Sequence, residues 1–144
     1  MTIQIKTGPA LTALGGLLLV VGSLLPWVTA NHVFGSMSAS GTEGDGVFTL
    51  VLGVVLCAGA VAQMSAEGRY RWLDTVAVLA VLLVGFELFN ITSKIDDLSN
   101  DYVRASVGPG VWVVAIGAGA ALYGTLAYHK ATGTRQSGRE DRVP

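Results

Sequence analysis

LTALGGLLLVVGSLLPWV, residues 11–28, carries no ionisable side chain over a length that suits a helix crossing a bilayer. Three further stretches are of similar length and nearly as apolar: Val47–Met64, Trp72–Ile91, where Asp74 sits at an end and Glu87 well inside, and Val111–Tyr128. Each runs for about 18–20 residues, close to what a helix needs to traverse ~30 Å of hydrocarbon. A soluble helix needs a polar face, and neither Leu14–Leu25 nor Val76–Val84 offers one. The chain therefore reads as an all-α membrane protein of four transmembrane helices, laid out as two tandem hairpins with short extracellular loops. It forms a single domain over residues 1–144, so little of it is left outside the bilayer to carry chemistry. Apolar residues make up 51% and charged residues 13%, with a mean hydropathy of +0.57. A soluble domain carries about 25% charge. The net charge is −1 and no basic patch is present, so nucleic acid is not an expected partner.

Lys6, an apolar run and Val28-Thr29-Ala30 before Asn31 together resemble a secretory signal with a small-residue cleavage site. The run is long for a signal core, and the segment reads as the first span. Positive charges then set the orientation. Lys6, Arg69, Arg71, Lys130, Arg135, Arg139 and Arg142 fall on the side of the termini and the middle loop; Lys94 and Arg104 fall on the other. The positive-inside bias places both termini in the cytoplasm, in a cell membrane, with loops Thr29–Gly46 and Thr92–Gly110 outside. Tyr70, Trp72, Tyr123 and Tyr128 mark the inner interface, and Trp27, Phe48 and Trp112 the outer one.

An internal repeat is legible. Gly44-Asp45-Gly46-Val47-Phe48 through Gly53 aligns with Gly108-Pro109-Gly110-Val111-Trp112 through Gly117, an offset of 64 residues. The same offset carries Leu18, Leu19, Val20 and Leu24 onto Leu82, Leu83, Val84 and Leu88. Residues 11–53 and 75–117 would then be two-span units related by an axis along the membrane normal. The plainer reading is that a glycine pair begins each inward-going helix.

The outer loops differ. In Asn31–Gly46, Val33, Gly35, Met37, Ala39 and Gly41 alternate with Phe34, Ser36, Ser38 and Ser40. A period of two suggests a short β-hairpin turning at Gly35-Ser36. Thr92–Ser106 reads as a short helix, with Ser93-Lys94-Ile95-Asp96 as a capping box. Ala131–Pro144 is polar, lacks an apolar pattern and is expected to be a mobile cytoplasmic tail.

Glu87 is the sharpest candidate for chemistry. An intramembrane carboxylate is expensive, and by default marks a functional site with a nameable partner. It could carry a proton, or it could pair structurally with Asn90, Thr92, Lys94 or Arg104. Asp45 precedes the second span and suits helix capping, as Pro109 does before the fourth. Glu43, Asp45, Asp96, Asp97 and Asp101 form the alternative, a cation site; calcium takes six to eight oxygens, although no EF-hand spacing is present. Gly16, Gly53, Gly117, Ala121 and Gly124 have the small-residue spacing that lets membrane helices approach closely. Pro26 beside Trp27 should end or kink the first span.

Cys57 is the single cysteine and lies in a span, which leaves no disulfide, thiol relay or thiolate cluster. His32 and His129 fall at opposite faces, so no histidine pair holds a metal or haem. Nucleotide loops, nucleophile elbows and zinc-protease motifs are missing. No cofactor is expected.

Leu25-Pro26-Trp27, a Gly/Ser-rich loop, Gly44-Asp45-Gly46 and a glycine-spaced span resemble a pattern recurrent in small bacterial four-span membrane proteins, with Gly108-Pro109-Gly110-Val111-Trp112 as its second half. The resemblance covers most of the chain and implies a layout, not an activity. The layout is also similar to claudin-type four-span proteins, which have a larger, extended first outer loop. Their paired loop cysteines and Gly-Leu-Trp motif are missing here, so paracellular function does not carry over. Small multidrug transporters share the size, but their essential glutamate is in the first span, whereas Glu87 is in the third. The expectation is a non-enzymatic accessory or scaffold protein associating laterally with itself or a larger membrane complex. The alternative is a small oligomeric channel or proton-coupled transporter using Glu87.

Overall fold

Pro9 in its first turn and Pro26 just beyond its last turn bracket the first helix, α1 (Thr7–Leu24). Proline suits a first turn, where its missing N–H goes unused. It also biases the preceding residue, Leu25, away from helical backbone. The computed structural model describes residues 7–32, 34–65, 71–98 and 103–140. After α1 come strands β1 (Pro26–His32) and β2 (Gly35–Ser40), a 3-10 turn at Gly41–Glu43, and α2 (Gly46–Ser65). Then follow α3 (Trp72–Leu98), strand β3 (Val103–Val107) and α4 (Pro109–Glu140). All four helices are long and apolar enough to cross a membrane. The protein is thus a multi-pass membrane protein by its architecture, mostly helical, with a small three-stranded sheet at one end.

Four local expectations change. The first span ends at Leu24 rather than Val28, because Pro26 already starts β1. The hairpin turns before Gly35, not at Gly35-Ser36: His32 pairs with Gly35, whose φ of +146° is backbone that side-chain-bearing residues rarely adopt. No separate helix begins at Ser93. The hydroxyls of Thr92 and Ser93 donate to the carbonyls of Leu88 (2.9 Å) and Phe89 (3.2 Å), one turn back, as they do inside a continuing helix. So α3 runs on to Leu98, and the remainder of that loop supplies β3, antiparallel to β1 from Val28↔Val107 to His32↔Val103. In the tail, residues 131–140 continue α4 as helix. Extending a formed helix adds one bond per residue fixed, and no proline interrupts it before Pro144.

The helices close into a ring. The packed pairs are α1–α2, α2–α3, α3–α4 and α4–α1, with α1–α4 the most extensive. Glycine makes that pair close. A Cβ on Gly15 would collide with the backbone of Ala121 and Gly117. One on Gly124 would lie 2.6 Å from Thr12 N. Against α2, a Cβ on Gly16 would lie 2.8 Å from Gly53 O and from Cys57 Sγ. The predicted packing residues Gly16, Gly53, Gly117, Ala121 and Gly124 therefore all serve contacts inside the chain. Three buried hydroxyls answer to their own helices: Thr12 donates to Gly8 O, Ser23 to Leu19 O and Thr125 to Leu122 O. That satisfies them where water is scarce. Leu19, Leu56, Leu73, Ala77, Ala80 and Val114 fill the centre.

Under the 64-residue offset, β1 (Pro26–His32) falls on Asn90–Asp96, which is helix. Proline stands at 26 and asparagine at 90, so only the first unit breaks its helix there. Gly53 and Gly117, equivalent under that offset, both pack on α1, at Gly16 and at Gly15 and Leu18 respectively.

Candidate functional site

Trp27 joins the sheet to the bundle. The β1–β2 register slips between Pro26 and Val28, a bulge that leaves Trp27 out of the ladder. Bulges re-aim side chains, and here the indole turns inward until it is 6% exposed. Its Nε1–H donates to Gly22 O at 2.8 Å. A Cβ on Gly41 would lie 2.5 Å from the ring, and one on Gly110 would lie 2.7 Å from it. Gly108 N also donates to Trp27 O at 2.7 Å. The sequence placed Trp27 at the membrane surface as an interfacial ring; it is instead the buried peg between sheet and helices.

Beside this peg lies a cleft of about 200 Å³ between the Gly41–Asp45 segment that precedes α2, the sheet-proximal part of α3 and the β1–β2 hairpin. Apolar groups of Trp27, Val28 and Ile91 wall it; Glu43, Asp45, Glu87 and Asn90 supply its polar lining. Glu87 is 4% exposed. The hydroxyl of Thr49 on α2 donates to its carboxylate, 2.9 Å from Oε1 and 3.0 Å from Oε2. Glu87 thus faces the bundle, as expected, but with a different partner: Arg104 is exposed on β3, and the Lys94 side chain lies outside the described residues. Thr49 was missed because a lone threonine in an apolar run reads as tolerated. The available signal was depth, since Thr49 is the polar residue of α2 nearest the sheet end, and Glu87 is the ionisable residue of the apolar part of α3 nearest the same end.

The other candidates divide. Asn90 lines the cleft, half-buried. Asp45 directly precedes α2 and its carbonyl accepts from Phe48 N at 3.1 Å. Glu43 and Asp45 are exposed at the cleft rim. The side chains of Asp96 and Asp97, and all of Asp101, lie outside the described residues. Among the described residues, no group of three or more His, Cys, Asp or Glu is placed to hold a metal ion.

The hairpin is the second feature of this end. β2 is an edge strand in the order β2-β1-β3, and Gly35 to Ala39 are exposed on both faces. Phe34, at the turn, is 96% exposed, and Met37 is 71% exposed. At the opposite end of the bundle, His129 Nε2 meets Asp74 Oδ2 at 2.5 Å, tying α4 to the first turn of α3. The chain matches no protein-family model and no curated protein.

Proposed function

We propose that this protein is a non-enzymatic accessory subunit of the cell membrane that engages a larger membrane complex through its sheet end. The observation that carries the reading is the unguarded edge of β2. Its sequence, GSMSAS, contains no charge and no proline. Those are the devices by which edge strands avoid unwanted pairing. An extended, uncharged partner segment can add to such an edge through main-chain hydrogen bonds, with alternate side chains giving selectivity. Phe34 and Met37 are the side chains available for that selectivity. The glycine faces of α1 and those of α2 and α4 that meet it do not support lateral association, because they are closed inside the bundle. The lipid-facing surface instead carries large apolar groups such as Leu17, Phe86, Phe89 and Ile116, which suit the bilayer. With the termini cytoplasmic, as the positive-inside bias indicates, the sheet end faces outward.

The transport reading draws less support. Val84, Ala80, Ala77, Leu56 and Leu19 are buried in the bundle beyond Glu87, and the cleft that Glu87 lines is at the sheet end only.

The test is co-purification from native membranes in mild detergent, with a photo-crosslinking residue at Met37. The expected result is capture of a specific membrane protein, lost in Ser36→Lys/Ser38→Lys while membrane insertion is retained. Capture of a second copy alone would replace the complex with a homodimer. A monomer without partners in intact membranes would overturn the reading.

A further inference from the structure

We infer that the cleft beside Trp27 is a binding site for a primary alkylammonium group. Glu87 is a carboxylate almost wholly removed from solvent, and its donor among the described residues is a single neutral hydroxyl. An ionised carboxylate offers about four acceptor positions, and Thr49 has one proton to give. Burial of a charge without a countercharge is strongly unfavourable, and Glu87 lines the cleft, so its remaining acceptor capacity suits a cation. Asp45 and Glu43 at the rim add negative potential on the approach to Glu87.

Size and wall chemistry select the class of cation. A cleft of about 200 Å³ holds roughly six or seven waters' worth of volume at ~30 Å³ each, so it fits a small head group and not a drug-sized ligand. A bare metal ion takes several closely spaced oxygens, which the described residues do not assemble. An alkylammonium needs fewer: its N–H donors are met by Glu87 and the Asn90 amide oxygen, with the rim carboxylates acting through their field alone, while its carbon chain lies against Trp27 and Ile91. A quaternary ammonium has no N–H to offer and is not the expected ligand. The head group of an aminophospholipid and a free small amine share this chemistry.

The experiment uses the full chain in nanodiscs of phosphatidylglycerol, in a Trp72→Phe/Trp112→Phe background that leaves Trp27 as the sole indole. Titration with n-butylammonium should change Trp27 fluorescence saturably, and tetramethylammonium at equal ionic strength should not. Glu87→Gln should weaken the apparent affinity about tenfold, the scale of one lost charged hydrogen bond. Glu43→Gln/Asp45→Asn should weaken it several-fold while leaving the buried Thr49–Glu87 pair in place, and decides the matter alone if Glu87→Gln does not fold. Repeating the titration with phosphatidylethanolamine in the disc separates the sources. A rightward shift identifies the lipid head group as occupant; an unchanged curve identifies the free amine. An equal response to both cations, no saturable change, or affinity unaltered by the substitutions would overturn the assignment.

Discussion

A carboxylate buried between two membrane helices needs a donor, and at Glu87 that donor is the hydroxyl of Thr49. The pair is asymmetric in what each partner can do alone. A threonine hydroxyl in a helix can turn back to a carbonyl one turn earlier, as Thr12 does with Gly8 O. A glutamate at 87 has no such retreat. Thr49→Val should therefore destabilise the fold by about 1–3 kcal/mol, the range for a buried polar group left unsatisfied. Glu87→Leu should cost less, and Glu87→Gln least, since an amide retains hydrogen bonding. Denaturant unfolding in micelles would rank the three; Thr49→Val proving the mildest would contradict the account. Trp27 supports a second residue-scale prediction. Phe in its place keeps the ring between Gly41 and Gly110 but removes the bond to Gly22 O. The loss should be near 1 kcal/mol for one net hydrogen bond, and Gly41→Ala should disturb the same peg by collision with the ring.

Glycines separate into two kinds at the scale of the element. Those on the inner face of α1 let α2 and α4 approach to backbone contact; Gly85 on α3 and Gly119 on α4 have nothing within 4 Å of where a Cβ would sit. Spacing alone cannot distinguish them, because each belongs to a run of small and apolar residues. Gly15→Ala should force α1 and α4 apart, since the atoms in its way are the backbone of Ala121 and Gly117. Gly119→Ala should be neutral or slightly stabilising, because alanine favours helix over glycine by up to ~1 kcal/mol. Thermal unfolding of the two variants side by side tests this, and equal losses would refute the division. α3 is the least buried of the four spans, with 22% of its apolar window buried against 44% for α1 and α4. Its Asp74 bond to His129 is thus a proportionally larger part of what holds it. Asp74→Ala should raise protease sensitivity in the loop before α3 more than an equivalent change on α1 would.

For the molecule as a whole, orientation follows from charge and not from packing. A bundle can pack identically whichever way it is inserted; what differs is the placement of Lys and Arg beside each leaflet. In a Cys57→Ala background, which removes the only cysteine, a cysteine at Ser38 should react with an impermeant maleimide in intact cells. One at Ser137 should react only after lysis. Labelling of position 137 from outside would reverse the topology and, with it, the side on which a partner reaches β2.

Four segments long and apolar enough to cross a membrane are legible in the chain before it folds, because length and the cost of burying charge act locally and need no knowledge of neighbours. Pro26 likewise marks where the first span must end or kink, although the helix already stops at Leu24, and the cost of a bare charge in lipid points Glu87 toward a polar partner. The pairing of β1 with β3 emerges only on folding, since that ladder joins loops 77 residues apart at Thr29 and Ser106. Such pairing is written in hydrogen bonds between backbones, which every residue except proline offers alike. The same holds for Thr49 and Glu87, and for the closed ring. These are relations between distant segments, fixed when glycine-lined faces of α1 met α2 and α4 at contact distance, and no single segment encodes them.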